Sequence, residues 1–349
     1  MRGVVFTGER QLDITTVPDP APGPTEIVLE MKASGLCGSD LKFYRRPKEF
    51  KFMSLGLKEP DGPVIAGHEP CGVIADIGRD VPRSQWSRGD RVMVHHYAGC
   101  TVCPHCRTGW TQMCVEGATV FGVNGNGGHA TYMKVPASTL VRLPDPLSFA
   151  TGAAISCGTG TAFGALVRMN VTARDTVVII GQGPVGLSGT QLAAAMGARV
   201  IAVDISPERA RRAGELGAHE TIDASSEDPV ERVRELTGGV GASRTMDTSG
   251  TAAGRSVAVR CAAPWGVTGL VGEGGTLTVD VSPDVLRKQL TILGSWTFST
   301  VGQADCAQFV ARHDIAVDQL FSDRWSLDEA EAAYVKFDGQ ASGKAVFLM

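Results

Sequence analysis

The sequence predicts a mixed fold, in which a β-rich part is joined to an α/β part with a parallel sheet. Three observations carry this. Over roughly the first 145 residues, short alternating runs such as EIVLEMKASG and DRVMVHHY are separated by the turn-forming stretches PDPAPGPTE, PDGP and RLPDP. From about residue 150 to 295, the continuous apolar runs TVVIIG, ARVIAVD, TMDTSG and VTGLVG alternate with the helix-like segments VGLSGTQLAAAMG, PERARRAGELG and DPVERVRELTG, the pattern of βαβ units. The remaining residues return to mixed helix and strand, ending in GKAVFLM. A length of 349 residues suits two domains.

Composition narrows the function. The formal net charge is −4, so the chain lacks the basic bias of a nucleic-acid binder. The N-terminal stretch MRGVVFTGERQLDITTV alternates like a strand and lacks the apolar core of a signal peptide, which predicts a cytoplasmic protein. Residues 176–198 carry no charge and are long enough for a membrane span, but five glycines and Pro184 divide them into strand, loop and helix. No membrane association is expected.

The candidate residues follow in chain order. Cys37 lies in GLCGSD with Ser39 and Asp40 beside it, and His68 and Glu69 lie in AGHEPCGV. Taken singly, Cys37 reads as a small buried residue, Ser39 and Asp40 as turn residues, and His68 as a hydrogen-bonded core histidine. Next comes HHYAGCTVCPHCRTGWTQMC, whose Cys100, Cys103, Cys106 and Cys114 are spaced C-x2-C-x2-C-x7-C. Nine cysteines in a chain expected in a reducing compartment argue against a disulfide framework. A redox role for Cys103 and Cys106 lacks the strand-to-helix setting of thioredoxin-like motifs. Thiolates so spaced can instead close around one tetrahedral Zn²⁺, a site with no open position for substrate. Within this stretch His95, His96 and His105 read as bystanders. Cys157, in AISCGTGTAF, reads alone as another small buried residue.

The segment VVIIGQGPVG then places Gly181, Gly183 and Gly186 as G-x-G-x-x-G between a buried strand and a helix, with Pro184 and Val185 inside the turn. The first glycine turns the chain, the second admits a pyrophosphate to the backbone, and the third allows close helix packing. Asp204 ends the next strand, eighteen residues after Gly186, where an acid would bond the ribose hydroxyls and repel a 2′-phosphate. That favours NAD over NADP, with Arg209 the opposing feature. Asp204 also has a plain reading as a strand end, followed by Ser206 as a helix cap and Pro207 at the first helical position.

Taken together and in this order, GLCGSD, GHE, the four-cysteine lobe and GQGPVG resemble the zinc-dependent medium-chain alcohol dehydrogenases over essentially the whole chain. The resemblance implies a GroES-like β-domain from residues 1–157 and 297–349 carrying an inserted Rossmann domain at 158–296, with the active site in the cleft between them. It implies two zinc ions per chain, one catalytic on Cys37, His68 and Cys157 and one structural on the four-cysteine lobe. It also implies that Glu69 approaches the open zinc position, that Ser39 passes on the substrate proton, and that Asp40 orients His68. Val271 and Lys344 join the glycine loop, Asp204 and Arg209 in holding the cofactor, Lys344 by neutralising its pyrophosphate.

The implied activity is NAD-dependent interconversion of a secondary alcohol or polyol with its carbonyl compound, in a homodimer or homotetramer. Threonine-type 3-hydroxy amino acid dehydrogenases share these motifs. Zinc-free quinone or enone reductases share the scaffold but lack the cysteines and His68. One departure concerns the proton route: Lys42 stands where a histidine often serves as the outer relay. Arg45, Arg46, Lys48 and Lys51 form a basic loop, read as either a lid or a solvated surface. Phe43, Trp110, Phe121 and Trp296 are candidate pocket walls.

Overall fold

The structure, a computed structural model, describes residues 1–339 and 343–349. The chain forms two compact units: Met1–Cys157 with Phe298–Arg312 and Phe321–Met349, and Gly158–Thr297 with His313–Leu320. The return of His313–Leu320 to the second unit has a visible cause. Ala316 accepts from the Gln191 amide at 3.0 Å and Gln319 from Arg212 at 2.6 Å.

The first unit is built on a seven-stranded sheet whose central strand is Glu26–Leu36. Alternation sends Ile27, Leu29 and Met31 into a core with Ile74, Val92, Val94, Met133 and Val135. Around Leu36 a second core gathers Val4, Phe6, Phe43, Tyr44, Tyr334 and Phe347. The register positions the chemistry. On one side the central strand pairs antiparallel with Glu69–Ile77, Gly35 opposite Glu69; on the other it pairs with Lys344–Leu348, Leu36 opposite Ala345. Cys37, His68 and Lys344, far apart in sequence, therefore meet at one end of the sheet.

The second unit holds six parallel strands in the order Glu220–Asp223, Arg199–Asp204, Thr176–Ile180, Ala242–Asp247, Ala262–Leu270, Thr291–Gly294. The chain enters at Thr176–Ile180, winds outward twice, then crosses to the other side. That leaves a switch point between Thr176–Ile180 and Ala242–Asp247, the Rossmann arrangement. Strands Glu220–Asp223 and Thr291–Gly294 escape the sequence reading because they are short edge strands without a continuous apolar run. Ser206, Asp228 and Thr251 cap their helices, accepting from Arg209 N, Val230 N and Gly254 N, and Pro207 and Pro229 occupy first helical positions. The charge-free run 176–198 divides as expected into strand Thr176–Ile180, a loop and helix Pro184–Ala195. Among the described residues no single helix is long and apolar enough to cross a membrane.

Candidate metal and nucleotide sites

Cys37 follows the central strand, His68 and Glu69 open the next, and Cys157 lies two residues past helix Phe149–Ile155, capped by Ser148. One ligand atom from each of Cys37, His68, Glu69 and Cys157 lies within 4.8 Å of the others. The Cys37 and Cys157 sulphurs are 3.9 Å apart. That is far beyond a disulfide at ~2.05 Å, and close to the ~3.8 Å separating two thiolates bound at ~2.3 Å around a tetrahedral zinc. The donor set of two sulphurs and one imidazole suits zinc equally well.

The histidine is aimed by its neighbours. His68 Nδ1 lies 2.8 Å from Asp40 Oδ1, so the carboxylate holds a proton there and leaves Nε2 available to a metal. Asp40 Oδ2 accepts from Cys37 N at 2.8 Å and from Tyr334 OH at 3.4 Å. Behind Tyr334, His129 Nε2 sits 2.7 Å from the phenol oxygen, and Ser34 Oγ lies 2.7 Å from His129 Nδ1. An ionised Asp40 can only accept, so every bond in the row points toward it: Ser34 donates to His129, His129 to Tyr334, and Tyr334 to Asp40. Burial opposes charge on His68, but Asp40 and Cys37 outweigh it and raise the ring well above its ordinary value. The hydrogen bond with Cys157, against burial, lowers Cys37 well below the usual thiol range, and the same bond raises Cys157. Ser39 Oγ stands 3.1 Å from His68 Nε2 and 3.4 Å from Cys37 Sγ, at the edge of the ligand set.

Lys344 requires a correction. The pyrophosphate role expected for it does not fit, because its side chain is 1% exposed and its ammonium lies 2.5 Å from Glu69 Oε2, also donating to Leu36 O at 3.3 Å. The sheet register accounts for this by placing Glu69 and Lys344 on either side of the central strand. Gly35 leaves room for the carboxylate: a Cβ there would lie 1.9 Å from Glu69 Oε2. Burial pushes the Glu69 carboxyl up to about 8, against the pull of Lys344.

The lobe of four cysteines forms a second cluster, its sulphurs within 4.8 Å of one another and those of Cys100 and Cys106 4.0 Å apart. Backbone amides of Cys100, Cys103 and Cys106 donate to the sulphurs of Cys114, Cys100 and Cys103 at 3.3, 3.3 and 3.5 Å. The bond from Cys106 lowers Cys103 to about 6, while burial lifts Cys106 to about 12. Four sulphurs complete a tetrahedral shell, so this arrangement can hold a zinc ion but offers substrate no position. His105 is exposed beside it.

In the second unit the glycine turn has the expected form. Gly181 adopts φ +88°, where a Cβ would also press on Ser249 at 2.9 Å. A Cβ on Gly186 would lie 1.8 Å from Gly181 O, whereas one on Gly183 would meet nothing within 4 Å. The open space therefore lies at Gly183, the residue preceding Pro184 and Val185 in the helix. Asp204 is buried, its Oδ2 accepting from Gln182 N at 2.5 Å and its Oδ1 from Ser206 N at 2.8 Å. The carboxylate thus ties the glycine loop to the following loop, and each oxygen keeps a further lone pair. Arg209 is half-buried on helix Pro207–Glu215, and Val271 N bonds Asp247 O at 2.9 Å. Gly181, Asp204 and Val271 all lie at the carboxyl ends of parallel strands, where such folds bind ligands.

Other candidates are dispersed. Phe43 and Phe121 are core residues. The basic loop is largely neutralised: Arg45 pairs with Asp338, Lys48 with Glu9 at 3.4 Å, and Arg46 lies over Phe50 and Phe52. These contacts favour a surface loop over an anion-binding lid. Sequence reasoning missed His96, Tyr334 and His129. His96 reads from the sequence as a bystander like the other histidines of its lobe, yet its ring centroid is 5.2 Å from that of His68. Nothing local marks Tyr334, which is 294 residues from Asp40.

Comparison with known proteins finds relatives over nearly the whole chain. Residues 23–145 match the alcohol dehydrogenase GroES-like domain family and residues 184–313 the zinc-binding dehydrogenase family. An uncharacterized zinc-type alcohol dehydrogenase-like protein of Escherichia coli is 37% identical, covering 99% of this chain and 98% of its own. Sorbitol dehydrogenase of Bacillus subtilis is 27% identical over 95% of this chain and 92% of its own. The solved alcohol dehydrogenase of Thermus sp. ATN1 superposes with a TM-score of 0.88 at 29% identity, covering 100% of this chain and 99% of that one.

Proposed function

The chain belongs to the zinc-type alcohol dehydrogenase family, and on that premise we propose that it oxidises a secondary alcohol or polyol with NAD⁺, and reduces the product in reverse. The observation that carries the reading is the convergence of Cys37, His68 and Cys157, with sulphurs 3.9 Å apart and His68 fixed by Asp40. When bound, zinc lowers the pKa of a hydroxyl as a Lewis acid and the nicotinamide accepts hydride.

The protein's own residues do the rest. Cys37, Cys157 and His68 Nε2 are the metal ligands of this site. Asp40 keeps the Nδ1 proton in place, so that His68 cannot rotate or present the wrong nitrogen. Ser39 Oγ, beside the ligand set, takes up the hydroxyl proton and passes it outward; Lys42 is exposed and is not required for the first transfer. Glu69 and Lys344 together form a buried pair against the ligands. The glycine loop, with Gly183 open, seats the pyrophosphate, and Asp204 selects NAD by accepting from the ribose hydroxyls. The four-cysteine lobe holds a second, structural zinc. A homo-oligomer is supported by the edge strand Thr291–Gly294 and by Trp265, which is 77% exposed in the same unit.

The test is NADH absorbance with a panel of secondary alcohols, polyols and 3-hydroxy amino acids. Cys37→Ala should abolish turnover in a protein that still binds NADH. Retained turnover in that variant would remove the catalytic role from this cluster.

A further inference from the structure

His96 stands beside the metal ligands without joining them. Its ring lies 5.2 Å from that of His68, and neither of its nitrogens belongs to the group of ligand atoms within 4.8 Å of one another. The side chain is 2% exposed. His96 Nδ1 lies 2.8 Å from the carbonyl oxygen of Ser156, the residue before Cys157. A carbonyl only accepts, so Nδ1 carries the hydrogen and the neutral ring presents a lone pair at Nε2. Among the described residues Nε2 has no hydrogen-bond partner. Unlike both nitrogens of the neighbouring His95, this nitrogen is not fully enclosed by protein, so a ligand can reach it. A nitrogen left open next to a reaction centre, on a ring held from both sides by residues of that centre, points to a group on the substrate.

We propose that His96 Nε2 accepts a hydrogen bond from a second substrate hydroxyl on the carbon next to the carbinol, so that the site selects neutral vicinal diols and longer polyols over simple alcohols. This rests on the zinc alcohol dehydrogenase reading and specifies its substrate. The reacting oxygen belongs among Cys37, His68 and Cys157, so a residue one ring further out meets the neighbouring oxygen. The rings packed on His96 are those of His68, His95, Tyr97 and Phe298. None of these side chains carries a permanent positive charge to pair with a carboxylate, which favours a neutral polyol over a 3-hydroxy amino acid.

The experiment measures kcat/KM with NAD⁺ for butan-2-ol, butane-2,3-diol and 3-methoxybutan-2-ol, using the zinc-loaded protein. The wild type should prefer the diol to butan-2-ol by about two- to tenfold, as expected for one hydrogen bond to a group that water would otherwise satisfy. The methyl ether keeps the oxygen but loses the donor, and should fall to the level of butan-2-ol. His96→Phe should erase the diol preference, and His96→Gln, which keeps an acceptor, should restore much of it. A methyl ether as good as the diol, an unchanged preference in His96→Phe, or threonine as the preferred substrate would each overturn the proposal and leave the family reading intact. Oxidation of no alcohol at all would overturn both. The methyl-ether comparison uses the wild type alone, so the proposal stays testable if His96→Phe does not fold.

Discussion

Gly186→Ala and Gly183→Ala should separate the two demands the nucleotide loop places on glycine. At position 186 the new Cβ would sit 1.8 Å from Gly181 O, where contacts under 3.0 Å essentially never occur. The carbonyl would have to move by about 1.2 Å, the difference between those two distances. It is held in place by Thr248 Oγ1, which donates to it at 2.6 Å, and by Gly181 itself, whose φ of +88° packs against Ser249. Overpacking of this kind costs about 1–3 kcal/mol. At about 2–4 °C per kcal/mol, the apo protein should melt about 2–12 °C lower. At position 183 a Cβ meets nothing within 4 Å, so Gly183→Ala should leave apo Tm unchanged. Its methyl group would instead occupy the space assigned to the pyrophosphate, and NADH should bind at least tenfold more weakly. Scanning calorimetry without cofactor and a fluorescence titration with NADH read the two effects. If Gly186→Ala melts like the wild type, or Gly183→Ala binds NADH normally, the assignment of roles within the loop is wrong.

Three further outcomes follow from the first unit. Lys344→Met should leave NADH affinity unchanged but lower Tm, most clearly above about pH 8, where the buried Glu69 carboxyl would ionise without its counter-charge. The sign follows from linkage: losing Lys344 raises the folded-state pKa of Glu69 further above its unfolded value, so the variant loses stability as pH rises. Weaker NADH binding at constant Tm would restore the pyrophosphate role for Lys344. Cys103→Ser should drop bound zinc by about one equivalent and lower Tm, and full zinc content by elemental analysis would refute a four-thiolate site. Tyr334→Phe leaves the His129 N–H unpaired and should cost about 1–3 kcal/mol in denaturant unfolding; an unchanged midpoint would mean that the row of bonds behind Asp40 contributes nothing.

What could be read from the sequence follows the range of each interaction. The glycine turn was legible because one strand, one turn and one helix contain it, and Ser206 and Pro207 likewise act within a single turn of chain. The two alternating patterns separated the β-rich part from the parallel part for the same local reason. Cys37 and Cys157 are 120 residues apart, and only the ordered set of motifs joined them; no periodicity could have done so. Lys344 failed in an instructive way. Its position near the C-terminus was visible, but the direction of its side chain depends on Leu36 lying opposite Ala345 and Gly35 opposite Glu69. His96 was hidden by its surroundings, since a histidine beside a cysteine cluster reads as part of that cluster until its ring is found against His68.

The central claim is that Cys37, His68 and Cys157 hold a metal ion distinct from the one in the four-cysteine lobe. A crystal of the purified protein measured at the zinc absorption edge tests it most directly. Two anomalous peaks per chain should appear, one bounded by Cys37, His68 and Cys157 and the other by Cys100, Cys103, Cys106 and Cys114. A single peak in the lobe, with none against Cys37, would contradict the account.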